Sequence, residues 1–183
     1  MSSKEETSDG EQETTDFNEL VEKHADFVYN VAYRMMGNPQ DAEDVSQGAF
    51  LSAYRAFDRF RGESRVTTWL YRITMNAALM RLRKTKLVRS LTVTGLEDME
   101  VVDWTASADK EAVNSELKER LQDAIDRLEP DLRAAVVMRD VQGFSSAEAA
   151  AVLDVSVAAL KSRLHRARVL VRKYLADYVA APG

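Results

Sequence analysis

The segment from Val157 to Lys173 constrains this chain more than any other. Leu160, Leu164, Ala167 and Val171 recur at i, i+4, i+7 and i+11, which places them on one face of a helix. Lys161, Arg163, Arg166, Arg168, Arg172 and Lys173 occupy the other faces, and no acid lies between Asp154 and Asp177. The whole chain carries a formal net charge of −5, so this basic helix runs against the overall balance. Just upstream, Ser146–Leu153 has a short Ala-rich helical pattern, and Asp154, Val155 and Ser156 form a tight connection. Short helix, tight turn and basic helix is the layout of a helix-turn-helix reader of duplex DNA. A surface helix with solvated charges is the plainer alternative. The preceding short helix and the one-sided charge favour nucleic acid.

Composition narrows the remaining classes. With 183 residues, 45% hydrophobic and 30% charged, the chain is globular and large enough for one or two domains. It has no Cys, which removes disulfides, thiolate nucleophiles and Cys-ligated zinc. Its two His, His24 and His165, stand far apart in sequence. No ligand cluster pairs with the acids at 41–44, so no metal, cofactor or catalytic residue is expected. No apolar run approaches the ~18–20 residues that span a bilayer, and the N-terminus lacks a signal-peptide core. A cytoplasmic protein without membrane insertion is the expectation. A second basic concentration lies within 55–89, where Arg55, Arg59, Arg61, Arg65, Arg72, Arg81, Arg83, Lys84, Lys86 and Arg89 face only Asp58 and Glu63. Local patches of this kind, rather than the total charge, set the field at a phosphate backbone.

Helical periodicity organises the rest into an all-α fold: two small helical domains joined by a flexible linker. Residues 1–15 are polar and acidic and read as a disordered tail. From Asp16, the residues Phe17, Leu20, Val21, His24, Phe27, Val28, Val31 and Met35 form one stripe. Gly37, Asn38 and Pro39 end that helix and start the next, with Asn38 as N-cap and Pro39 at the first helical position. The second helix runs to Phe57 with Ala42, Val45, Ala49, Ala53 and Phe57 inward. A loop over 60–66 leads to a third helix from Thr67 to Lys86, whose inward face is Leu70, Ile73, Ala77 and Met80. Residues 16–86 make the first domain, 87–110 a linker with Glu97, Asp98, Glu100 and Asp103, 111–178 the second domain, and 179–183 a tail. In the second domain Leu117, Leu121, Ala124, Ile125 and Leu128 form one face. Glu129–Pro130 interrupts it, a helix resumes over Asp131–Val141, and Gln142–Gly143 stops it.

Four segments carry a resemblance to a known family. They are Asp41–Gln47 (DAEDVSQ), Phe60–Ser64 (FRGES), Thr68–Ile73 (TWLYRI) with Asn76, and Lys161–Arg168 (KSRLHRAR). Taken together and in order, they resemble the extracytoplasmic-function group of bacterial RNA polymerase sigma factors, of the sigma-70 family. The resemblance covers nearly everything from Asp16 to Tyr178. It implies a sigma-2 domain, a sigma-4 domain with the helix-turn-helix, promoter-specific transcription initiation, and no catalysis by the chain itself. The implied partners are the polymerase core (the clamp helices of its largest subunit and the flap of the second-largest), promoter DNA and an anti-sigma factor. It also implies that the linker threads the polymerase's active-site and RNA-exit channels.

The resemblance assigns Asp41, Glu43, Asp44 and Gln47 to the polymerase clamp helices, although acids in a first helical turn also suit the helix dipole. Gly48 departs from the family, where Glu is frequent. Arg61, Gly62, Glu63 and Ser64 match the loop that reads the −10 element, together with the helix position of Asn76. Trp69, Arg72, Asn76 and Arg83 share one helical face. An indole beside guanidinium and amide groups offers an unpaired base a stacking plane, phosphate partners and an edge reader; a core role for Trp69 is the alternative. In the second domain, Ser156 is the expected N-cap. Val157, Ala158, Lys161 and Ser162 then face bases or sugars, while Arg163, Arg166 and Arg168 reach phosphates. His165 is either a phosphate donor or a packing residue. Small Ala158 and Ala159 leave direct readout thin and favour shape readout of an A-rich tract. Two rivals share parts of this pattern: a sigma-like adaptor that titrates an anti-sigma factor, and an ordinary helix-turn-helix regulator.

Overall fold

A computed structural model describes residues 16–92 and 110–180. No strand occurs among the described residues. Helix α1 (Phe17–Met36) begins at Asp16, whose carboxylate accepts from the Asn18 N–H at 3.0 Å. It ends at Gly37, where φ is +78°, a left-handed conformation that a Cβ disfavours. Helix α2 (Pro39–Phe57) starts at once: Asn38 accepts from the Asp41 N–H at 2.8 Å, as the sequence predicts. Helix α3 (Val66–Thr92) closes the first bundle. Leu20, Val28, Val31 and Met35 of α1 pack inward with Ala42, Val45, Ala49 and Ala53 of α2.

Two expectations for α3 are corrected. Its buried residues are Leu70, Thr74, Met75, Ala78 and Leu79, while Ile73 and Ala77 are half-buried and Met80 is 70% exposed. The helix is covered by the second half of the chain as well as by α1 and α2, so its inward face is rotated from the one expected. The helix also continues past Lys86 to Thr92. Residues 87–92 contain no breaker, and Gly95 is the first one downstream.

The second half comprises α4 (Lys110–Asp126), α5 (Pro130–Val136), a π-helical turn (Val137–Val141), α6 (Ser146–Leu153) and α7 (Val157–Ala180). The π turn replaces part of the single helix expected over Asp131–Val141. In it the Gln142 N–H donates to the Val137 carbonyl, five residues back, at 2.9 Å. The widened turn keeps Val137 and Met138 fully buried while the chain leaves the core at Gln142. The expected inward face of α4 is half right. Ala124, Ile125 and Leu128 are buried, but Leu117 is 54% and Leu121 40% exposed.

Caps fix the helix-turn-helix. Ser145 and Glu148 form a reciprocal capping box at the start of α6. Asp154 ends α6 in the left-handed region at φ 54°, which Asp tolerates better than most side chains. Ser156 Oγ then accepts from the Ala159 N–H at 3.0 Å, so α7 starts at Val157 as expected.

The two halves share one core. Val31, Met35, Met75 and Leu79 belong to the same buried cluster as Ile125, Val137, Met138, Leu160 and Leu164. A smaller cluster of Leu20, Val28, Ala53 and Leu70 lies at the far end of the first bundle, with Phe17, Phe57 and Trp69 against it. The expected tail at 1–15, residues 181–183 of the expected tail at 179–183, and linker residues 93–109 with Glu97, Asp98, Glu100 and Asp103 lie outside the described residues, while Val179 and Ala180 continue α7.

Candidate nucleic-acid interface

Helix α7 divides into two faces. Leu160, Leu164 and Ala167 are buried and Val171 is half-buried, which anchors the helix on α5 and α6. Opposite them, Val157, Ala158, Lys161, Ser162, His165 and Arg166 are exposed and form one continuous strip. Arg163 is half-buried at its margin. Arg168 is exposed but engaged: its Nε and Nη2 donate to the Asp140 carboxylate at 2.9 and 2.6 Å. Asp140 raises the Arg168 pKa further, so the cation is permanent. The sequence had no means of pairing Asp140 with Arg168, because the π turn sets where Asp140 stands.

The first-half candidates on the loop and α3 lie in four settings. In the loop, Arg61, Gly62 and Glu63 are exposed and Ser64 is half-buried. Trp69 is half-buried, with its ring centroid 5.1 Å from that of Phe60 and 6.3 Å from that of Phe57. The indole thus links the loop to α3, and one side of it is engaged in aromatic packing. Asn76 is exposed, one helical face away from the buried Met75. Arg72 points elsewhere: its Nη2 donates to the Ala151 carbonyl of α6 at 2.7 Å.

On α2, Glu43, Asp44 and Gln47 are exposed. Asp41 is half-buried and accepts from Asn38 Nδ2 at 2.9 Å and Arg81 Nη2 at 2.6 Å. These two hydrogen bonds, with the Arg81 charge, hold its carboxyl below the usual carboxylate range. Asp44 lies 3.6 Å from the same guanidinium. Arg81 therefore ties α3 to the acidic start of α2. Nothing crowds the outer side of Gly48.

Arg133 is a residue that sequence reasoning missed. It is 7% exposed. Its Nη1 donates to the Met35 carbonyl at 2.6 Å, and its Nη2 donates to the carbonyls of Asp126 and Leu128. The guanidinium caps the C-terminal ends of α1 and α4 at once, where unsatisfied carbonyls and the dipole favour a cation. Asp126 Oδ1 lies 3.7 Å away. Burial pulls the Arg133 pKa down and pushes that of Asp126 up. Desolvation thus outweighs their mutual attraction, and the carbonyl bonds do the holding. The only signal in sequence was an Arg one residue into an otherwise apolar run, Leu132–Met138.

Among the described residues, no group of three or more His, Asp or Glu is placed to hold a metal, and no helix is long and apolar enough to cross a membrane.

Comparison with known proteins falls along the same division. A sigma-70 region 2 model matches residues 20–88, and a sigma-70 region 4 model matches residues 118–171. Region 2 followed by region 4 defines a sigma-70-type chain. The chain is 33% identical over 167 residues to the ECF RNA polymerase sigma factor SigW of Bacillus subtilis, covering 88% of this chain and 89% of that one. It is 34% identical over 158 residues to the ECF RNA polymerase sigma-E factor of Escherichia coli, covering 83% and 82%. Against SigE of Mycolicibacterium smegmatis identity is 38% over 163 residues, and the match takes in 88% of this chain and 62% of that relative's length. Among solved structures, CnrH in complex with the cytosolic domain of CnrY matches with a TM-score of 0.61 at 27% identity, over 88% of each chain. The sigma factor RpoE of Bartonella quintana, in complex with the anti-sigma factor NepR, matches in fold with a TM-score of 0.63 at 24% identity, over 89% and 98%. The chain belongs to the extracytoplasmic-function group of RNA polymerase sigma factors.

Proposed function

We propose that this sigma factor binds RNA polymerase core through α2 and directs initiation by reading duplex −35 DNA with α7 and capturing melted −10 DNA with the 61–64 loop and α3. The observation that carries the reading is the division of α7. Val157, Ala158, Lys161, Ser162, His165 and Arg166 are exposed together, opposite Leu160, Leu164 and Ala167. A helix held in this way presents its N-terminal residues to base edges and its later cations to phosphates. Arg163 and Arg168 stand at the margin of the strip, where a phosphate competes with Asp140 for Arg168.

On α2, Glu43, Asp44 and Gln47 offer carboxylates and an amide to the clamp helices of the largest subunit, with Asp41 held by Asn38 and Arg81 as the anchor of that turn. The flap of the second-largest subunit is assigned to the second half. Arg61, Gly62, Glu63 and Ser64 frame the entry to the Trp69–Asn76 face. Trp69 supplies a stacking edge and Asn76 an amide for an extruded base. The protein acts by binding, with no catalysis of its own, in the cytoplasm where the polymerase works. An anti-sigma factor is the expected regulator; the RpoE structure of similar fold holds the anti-sigma factor NepR. Retained cations at Arg163, Arg166 and Arg168 favour this reading over an adaptor that only titrates an anti-sigma factor.

The test is transcription by purified core polymerase and this protein on a promoter library. Start sites with shared −35 and −10 elements are expected. Core binding without promoter-directed transcripts would overturn the reading in favour of the titrating adaptor.

A further inference from the structure

Helix α3 runs on beyond the core that buries its middle. Every residue from Arg83 to Leu91 is exposed, whereas a helix laid on a core buries a residue at every third or fourth position. Large apolar side chains stand in water along this end: Met80 is 70%, Leu87 59% and Leu91 76% exposed. At about 100° per residue, Leu87, Met80, Leu91 and Lys84 fall within about 60° of the helix circumference and form one row about 16 Å long. The buried residues Met75, Ala78 and Leu79 lie on the opposite side. Arg81 borders the row on one flank and Arg83 on the other, Lys84 stands inside it, and Lys86 and Arg89 follow. No acid occurs in sequence between Glu63 and Glu97. Acids reach the flanks from other helices: Asp41 pairs with Arg81, Asp131 with Arg83 and Glu129 with Lys86. Solvated pairs of this kind contribute little and yield readily to other anions.

We infer that this end of α3 is a peripheral docking element for an anionic lipid bilayer, with the Met80–Leu87–Leu91 row in the headgroup boundary and the surrounding cations on lipid phosphates. This role is independent of the function proposed above. A helix with one apolar stripe and basic residues beside it lies along a membrane surface rather than across it. Spanning is a separate matter, and no described helix is long and apolar enough for it. Other occupants match the row less completely. A nucleic acid would meet the cations but give the three apolar side chains nothing to pack on. Residues 77–92 also contain no aromatic ring on which a base could stack. A partner protein would have to bring its own groove, because a lone helix end is a ridge, and would need acids along both rims. A bilayer with anionic headgroups supplies an apolar layer and negative charge on both flanks at once. Lys84, inside the row, has a stem that can lie in the apolar layer while its ammonium returns to the phosphates.

The test floats full-length protein with vesicles of phosphatidylcholine alone, and of phosphatidylcholine and phosphatidylglycerol in equal parts. Binding to the anionic vesicles is expected to be at least about ten-fold tighter, because each cation near such a surface contributes several-fold. Leu87→Gln with Leu91→Gln changes two exposed positions, so helicity should hold while anionic binding falls about ten-fold or more. The basic strip of α7 is a second place for lipid phosphates, so position is read separately. The chain has no Cys, so Leu91→Cys carries a single nitrobenzoxadiazole dye, and Val169→Cys, exposed on α7, carries one in a second sample. Anionic vesicles should shift the emission to the blue at 91 and leave it unchanged at 169. Absence of binding to the anionic vesicles overturns the inference. So does binding that the double Gln variant retains in full, or a shift confined to position 169. Sedimentation velocity and capture of a single-stranded −10 oligonucleotide separate the other occupants. A double variant that loses a dimer, or loses the oligonucleotide, while vesicle binding stays as in wild type gives the row to a second copy or to DNA and overturns the lipid assignment.

Discussion

Helices α3 and α7 are both long, both basic, and both proposed to meet DNA, yet the fold treats them in opposite ways. α7 buries one narrow stripe and leaves the opposite strip open. α3 is packed by the first bundle along Leu70, Met75 and Ala78, and by the second half through Arg72, Arg83 and Lys86. The difference comes from position. α7 lies on the outside of its own half, whereas α3 stands where the two halves meet. Charge alone does not say whether a cation is available; the neighbours of its helix decide that.

The sharpest way to break this comparison is to remove what holds the halves together. Arg133→Leu leaves three carbonyls at two helix ends without a donor, and disruption of a buried charged network costs about 3–5 kcal/mol. Urea unfolding should show a loss of this size. A loss below about 1 kcal/mol would mean that the junction is incidental to the fold.

The open side of α3 is tested by Asn76→Ala. The residue is exposed, so stability should hold, while loss of base capture lowers open-complex occupancy ten-fold or more if the contact is worth the about 1–3 kcal/mol typical of such sites. Permanganate footprinting reads this directly, and a pre-melted −10 bubble should rescue it poorly. Trp69→Ala should add a stability loss, because Phe57 and Phe60 pack on the indole; the bubble should rescue its DNA defect better.

On α7 the contrast is between two arginines. Arg166→Ala should flatten the slope of log K against log[salt] for −35 duplex by roughly 0.9, the value for one phosphate contact. Arg168→Ala should change it less, because the Asp140 pair competes with the phosphate. Equal slopes in both variants would remove Asp140 from the account.

A weaker effect separates α3 from α7 by pH. His24 is buried under α3 and hydrogen-bonded to Tyr71 Oη at 2.9 Å. Burial, helped by Lys23, lowers its pKa. The unfolded chain therefore binds this proton more readily than the fold does. Stability is full above the unfolded value near 6.5 and falls as pH drops below it, levelling beneath the depressed folded value. His24→Gln should flatten the denaturation midpoint across that window. Smallest of all, Gly48→Ala should raise stability by about 0.5–1 kcal/mol, since open space surrounds the site.

Local signals were legible in sequence wherever one segment contained the whole explanation. Asn38 and Pro39 start α2, Ser156 starts α7, and the Leu160–Leu164–Ala167 stripe is buried, all from short-range pattern. The all-α class and the family resemblance came from the same source. What escaped depended on partners distant in sequence. The inward face of α3 was misjudged at Met80 because a second half covers the helix from another side. Leu117 and Leu121 carry the same apolar spacing as Ala124 and Leu128 yet stand exposed, because spacing alone does not say where a covering surface ends. Arg72 and Arg168 read as cations available to phosphate, but Ala151 and Asp140 take them. Arg133 carried no motif, because its acceptors are backbone carbonyls, which every residue has.

The π turn at Val137–Val141 has a consequence for how such a molecule changes by insertion and deletion. A turn of this kind is an α-helix that has taken in one residue. Each residue of an α-helix rotates the downstream chain by about 100° and advances it by about 1.5 Å. Phe144, whose N–H is held by the Met138 carbonyl at 3.2 Å, follows directly and packs on Tyr71. Deleting one residue from the turn would tighten it to α-helical pitch and draw Phe144 and α6 back from the first bundle, with no interface side chain altered. A change of one codon in length at this point therefore reaches the relation between the halves more directly than most substitutions in the surface they share.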